Sequence, residues 1–192
     1  MKRMKTLNEW FNQGLTGSEY IQGMNVNKER MLSIYNRSGL KEEQKEYLHS
    51  IQEQGLRALV LTADWCGDAM VNIPLFMRIA NEALIDIRYF IRDENLELMD
   101  QYLTNGKSRS IPIIVIIDKD GSELAKWGPR APEGQELADE LFGSLPAKGT
   151  PEFDGAFKKA IPEFQRKLTE DKQLWEAITD HIISTLKSNV PV

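Results

Sequence analysis

The sequence predicts an α/β fold of order β-α-β-α-β-β-α, with helices added before and after it. Three observations carry this. An apolar run without alternation, Ala58 to Ala63, reads as a strand buried on both faces. The stretch Val71 to Leu84 follows and turns Ile73, Phe76, Met77 and Ala80 to one side at helical spacing. Further on, Ile113 to Ile117 passes through Asp118-Lys119-Asp120-Gly121 into Glu123 to Trp127, the pattern of an antiparallel hairpin.

The remaining elements follow in order. Residues 1–55 read as a helical extension. Lys28 to Tyr35 sets Met31, Leu32 and Tyr35 at helical spacing, and Lys41 to Gln54 puts Tyr47, Leu48 and Ile51 on one face before a stop at Gly55. Met4, Leu7, Trp10 and Phe11 mark the start as a docking helix or a packed arm. Residues 56–146 form the central domain. Within it, Pro74 is expected to kink its helix or close the first turn. Ile85 to Ile91 alternates as a strand, with Ile85, Ile87, Tyr89 and Ile91 opposite Asp86, Arg88 and Phe90. Leu96 to Leu103 is a short helix closed by Asn105-Gly106, and Gly134 to Phe142 is helical again. Residues 147–192 hold two more helical stretches: Phe153 to Leu168, interrupted by Pro162, and Gln173 to Lys187. The face of Leu174, Ala177, Ile178, Ile182 and Leu186 reads as core.

Composition excludes several functions. A chain of 192 residues, 41% hydrophobic, is long enough for a real core. Its 24 basic and 29 acidic side chains leave a net charge of −5, which argues against bulk affinity for nucleic acid or an anionic membrane. The acid is concentrated in the middle, with 15 acidic against 8 basic side chains over residues 58–147. No stretch reaches the ~18 to 20 apolar residues that cross a bilayer. The basic start Met1-Lys2-Arg3-Met4-Lys5 runs into Asn8, Glu9, Asn12 and Gln13 where a signal peptide needs an apolar run, so the expected location is the cytoplasm. A single cysteine, Cys66, excludes an internal disulfide and a Cys-rich zinc site, and no His/Cys/Asp group has zinc spacing. No metal and no cofactor are expected.

The residues that carry chemistry lie between the first strand and its helix. Asp64-Trp65-Cys66-Gly67-Asp68 places Cys66 at a helix N-terminus, where free N–H groups and the macrodipole favour a thiolate. Asp64 reads as the helix cap and Asp68 as a partner of the dipole, though the carboxylate of Asp68 also competes with the thiolate and raises the thiol pKa. Ser108-Arg109-Ser110-Ile111-Pro112 sets a proline just ahead of a core strand, where the lost ladder donor is tolerated and a cis bond fits. His49 and His181 lie far from the thiol in sequence, which speaks against a Cys–His pair.

Strand, Trp65-Cys66-Gly67, helix, Ile111-Pro112 before a strand, then a hairpin ending in Trp127-Gly128: in that order, these resemble the thioredoxin superfamily over residues 56–143. More narrowly they resemble a bacterial branch with Trp-Cys-Gly-Asp in place of Trp-Cys-Gly-Pro. The resemblance implies a thioredoxin-like fold and a groove for an extended peptide. Trp65, Gly67, Asp68, Ile111, Pro112, Trp127 and Gly128 would frame that groove beside Cys66, with Ile111 pairing with the peptide backbone. Arg109 and Arg130 are expected as solvated surface charges. A peroxiredoxin reading fails, because Ala63 stands where that branch has its threonine.

Three departures weaken two-thiol chemistry. Ala69 replaces the second cysteine, Asp68 replaces the usual proline, and Val60 stands where the family carries a buried acid. Without a resolving thiol, Cys66 cannot release a mixed disulfide unaided. The leading expectation is a monothiol redox protein, exchanging disulfides through Cys66 with a protein or small-thiol partner. The alternative is a redox-inactive binding module that keeps the groove.

Overall fold

The computed structural model describes residues 3–192, so Met1 and Lys2 of the basic start lie outside it. Four short helices come first: α1 (Leu7–Phe11), α2 (Gly17–Gly23), α3 (Lys28–Arg37) and α4 (Glu42–Ser50). The central order is β1 (Arg57–Thr62), α5 (Gly67–Ala83), β2 (Asp86–Ile91), α6 (Leu96–Met99), β3 (Ile113–Ile117), β4 (Glu123–Trp127) and α7 (Pro132–Phe142). Two long helices close the chain, α8 (Pro151–Glu170) and α9 (Lys172–Asn189).

The strands form one sheet in the order β2-β1-β3-β4. β1 runs parallel to β2 and antiparallel to β3, and β3 pairs antiparallel with β4, so the expected parallel portion and hairpin share β1–β3 at the centre. Ala58 to Leu61 and Ile113 to Ile117 are buried throughout, which explains why neither strand alternates. α5 packs against α3, α4, α8 and α9, and residues from all three parts of the chain share one core.

β2 departs from simple alternation because Tyr89 and Phe90 are both buried. The N-terminal segment accounts for this. Neighbouring side chains point to opposite faces of a sheet. Trp10 of α1 packs edge-on against Phe90 with centroids 6.2 Å apart, while Tyr20 of α2 stacks on Tyr89 at 4.7 Å. Between those helices, Leu15 exchanges two backbone hydrogen bonds with Tyr89, of 2.9 and 2.8 Å. The segment therefore passes around the outer edge of β2, covering one face with α1 and the other with α2.

Neither proline ends its helix: α5 runs on through Pro74, which does not close its first turn, and α8 is not interrupted at Pro162. A proline inside a helix removes one hydrogen bond and costs about 3 kcal/mol. Ile73, Leu75, Phe76 and Ile79 around Pro74, and Phe164 and Leu168 beyond Pro162, are buried, and that packing offsets the loss. α5 also begins at Gly67, ahead of its first periodic apolar residue, and the expected helix to Leu103 ends at Met99.

Candidate functional site

The site is built where β1 ends. The chain leaves Thr62, turns through Ala63 to Cys66 and enters α5 at Gly67. Cys66 itself is the N-cap: its Sγ accepts the N–H of Ala69 at 3.4 Å. Asp64 is not the cap. Its Oδ2 accepts the N–H groups of Asn25 (2.7 Å) and Val26 (3.1 Å), and its carbonyl accepts Asn27 Nδ2 at 2.9 Å. A short carboxylate near a helix start can bond any N–H in reach, and here the N-terminal extension supplies two.

The Ile111-Pro112 bond is cis and brings Ile111 across from the thiol, whose Sγ donates to the Ile111 carbonyl at 3.5 Å. The N–H of Ile111 has no hydrogen-bond partner among the described residues. Gly128 backs onto the same loop at φ +117°, where a Cβ would drive into the Pro112 carbonyl, so glycine alone fits. Cys66, Gly67, Asp68, Ile111, Pro112 and Gly128 thus come together.

Trp127 does not line an open rim. It is buried, and its Nε1 donates to His181 Nδ1 of α9 at 2.8 Å. Nor is Arg130 a solvated charge. It is half-buried and forms a bidentate pair with Asp68, Nε and Nη2 each 2.8 Å from a carboxylate oxygen. Arg109 likewise pairs with Asp100, at 2.7 and 2.9 Å, although both are exposed.

Three contributions were not legible in the sequence. Asn72 of α5 donates to the Pro129 carbonyl at 3.1 Å and, with the Asp68–Arg130 pair, ties the loop after β4 to the start of α5. Leu168 and Phe164 of α8 stand over Gly67: a Cβ placed there would be 3.6 Å from Leu168 and 4.0 Å from Phe164. α2 borders Trp65 from the other side. The one signal for α8 was its aromatic series, Phe153, Phe157 and Phe164, on a single helix.

This enclosure decides the state of the thiol. Cys66 is 8% exposed, and burial pushes its pKa up to about 11. The Ala69 N–H and the Arg130 charge act downward and Asp68 acts upward, but burial outweighs them. The helix terminus alone would have favoured a thiolate. No group of three or more His, Cys, Asp or Glu side chains is placed to hold a metal, and no helix is long and apolar enough to cross a membrane, among the described residues.

A cysteine capping the helix after a central parallel strand, faced by a cis-proline loop, defines a protein of the thioredoxin-like fold class. The family model described as thioredoxin matches residues 14–142, and the chain belongs to that family. Among solved structures it is similar to a protein of unknown function from Pseudomonas aeruginosa, at 15% identity and TM-score 0.68, covering 96% of this chain and 99% of that one. An HIV epitope-scaffold is similar at 15% identity and TM-score 0.67, with the same coverage of both chains. These likenesses extend through the terminal helices and concern the fold alone. No curated protein matches significantly.

Proposed function

We propose that this thioredoxin-family chain is a binding module: it takes an extended segment of a partner protein alongside Ile111 and keeps Cys66 as a protonated, structural thiol. The observation that carries this reading is the closure of the thiol, held between the Ala69 N–H and the Ile111 carbonyl with α8 packed over the next residue. A pKa of about 11 leaves roughly one thiolate in ten thousand at neutral pH, too few for efficient attack on a disulfide. The unpaired N–H of Ile111 supports strand addition, since an extended peptide supplies the carbonyl it lacks.

The monothiol reading keeps one observation in its favour, the Ala69 N–H aimed at Sγ from the first turn of α5. Alkylation of the single thiol by iodoacetamide across pH separates the two. The binding reading expects slow modification with an apparent pKa well above the ~8.5 of a free thiol, and partner binding that survives Cys66→Ser. An apparent pKa below about 7.5, with a mixed disulfide formed promptly on adding oxidised glutathione, would establish the monothiol reading instead.

A further inference from the structure

We propose that the groove between α2 and the β1–α5 turn is a docking pocket for a lysine or arginine side chain of the extended partner segment. The inference rests on the strand-addition reading and names the class of segment it accepts. The groove has a volume of about 400 Å³ and opens beyond the carboxyl ends of parallel strands β1 and β2, the crevice where open α/β sheets place ligands. Tyr20 and Met24 give it an apolar wall, and Trp65, 51% exposed, stands at its mouth beside Cys66.

Its charge has one sign. Glu19, Asp64 and Glu94 line it, and no lysine or arginine does. Glu19 is engaged with the backbone of Thr16 and Asp64 with Asn25 and Val26, whereas Glu94 makes no ion pair or hydrogen bond through its side chain among the described residues. Trp65 already stacks with one guanidinium, that of Arg92 at 4.8 Å, whose charge is matched by Asp93. An aromatic mouth, an apolar wall and an uncompensated carboxylate suit a long side chain that buries its stem and ends in a cation. A glutamate in the same place would meet three carboxylates.

The test uses two extended peptides of identical apolar residues, one carrying arginine and the other glutamate at the central position, titrated into the full chain. Acrylamide quenching reports Trp65 selectively, because Trp10, Trp127 and Trp175 are buried. The arginine peptide is expected to shield Trp65 and to bind about fivefold tighter than the glutamate peptide. That preference should shrink with added salt and reverse in Glu94→Lys. Equal affinities, an unshielded Trp65 or a preference untouched by Glu94→Lys would overturn the pocket. An arginine peptide whose central amides are replaced by (E)-alkene isosteres lacks the carbonyls that the Ile111 N–H would meet, and separates the two proposals. Unchanged binding would remove strand addition and leave the pocket; binding lost on that replacement but indifferent to charge would do the opposite. Failure of both peptides to bind overturns both.

Discussion

Trp65 and Cys66 are adjacent in sequence and opposite in access, one 51% exposed and the other 8%. The difference comes from what each end of the chain brings to the same turn. The C-terminal extension lays Leu168 and Phe164 of α8 over Gly67 at the start of α5, next to the buried thiol. The N-terminal extension is held by Asp64 and leaves a groove open on the indole side. The added helices border both members of the Trp-Cys pair while the sheet keeps the thioredoxin arrangement: α8 lies beside the closed residue and α2 beside the open one.

The largest expected effect comes from opening the closed side. Leu168→Ala removes a fully buried side chain and is expected to lower stability by about 3 kcal/mol in urea unfolding. It should also speed alkylation of Cys66, whereas Phe157→Ala, about three turns earlier in α8 and exposed, should leave that rate near wild type. Equal rates in the two variants would mean that α8 is not what shuts the thiol.

Next comes the pH dependence of the closed thiol. Burial raises its pKa from 9.0 to about 11, so the folded state holds the proton more tightly than the unfolded chain does. The resulting stability is complete below about pH 9 and is lost as pH rises through about 11. Cys66→Ala removes that dependence. The difference in unfolding free energy between the two proteins should change by about 3 kcal/mol across the window, which isolates the thiol from the buried tyrosines that also titrate at high pH.

Smaller effects sharpen the boundary between the two sides. Asp68→Asn and Arg130→Gln each break the same half-buried ion pair and should each cost about 1 kcal/mol. Their effects on the thiol have opposite signs. Losing the Asp68 charge lowers the thiol pKa and speeds alkylation at pH 8, while losing the Arg130 charge raises it and slows alkylation. Smallest of all, Trp65→Ala on the open side should change stability by less than about 0.5 kcal/mol in the same urea titration.

The sequence was most informative where a pattern depends on burial alone. The strand Ile113–Ile117 and its hairpin partner Glu123–Trp127 lie where their apolar runs and the Asp118–Gly121 turn put them, and the cysteine sits at its helix start as the Trp-Cys-Gly spacing implies. Partnership across the chain was not readable. Whether Asp64 bonds its own helix or Asn25, and whether Arg130 meets water or Asp68, depends on which distant segment arrives. The same holds for the thiol. Local position favours its ionised form, and burial by segments distant in the chain, the Ile111 loop against the thiol and α8 over the neighbouring Gly67, reverses the balance.

The bridge between Leu15 and Tyr89 has a consequence for how copies of this protein coexist. β2 is an outermost strand, and an outermost strand offers its unpaired N–H and C=O groups to any chain that can lie beside it. Here Tyr89 spends both groups on Leu15, and the helices before and after that residue fold over either face. The N-terminal segment acts as a hem stitched at Tyr89 to the β2 margin of the sheet, so at that residue one molecule gives another nothing to be sewn to.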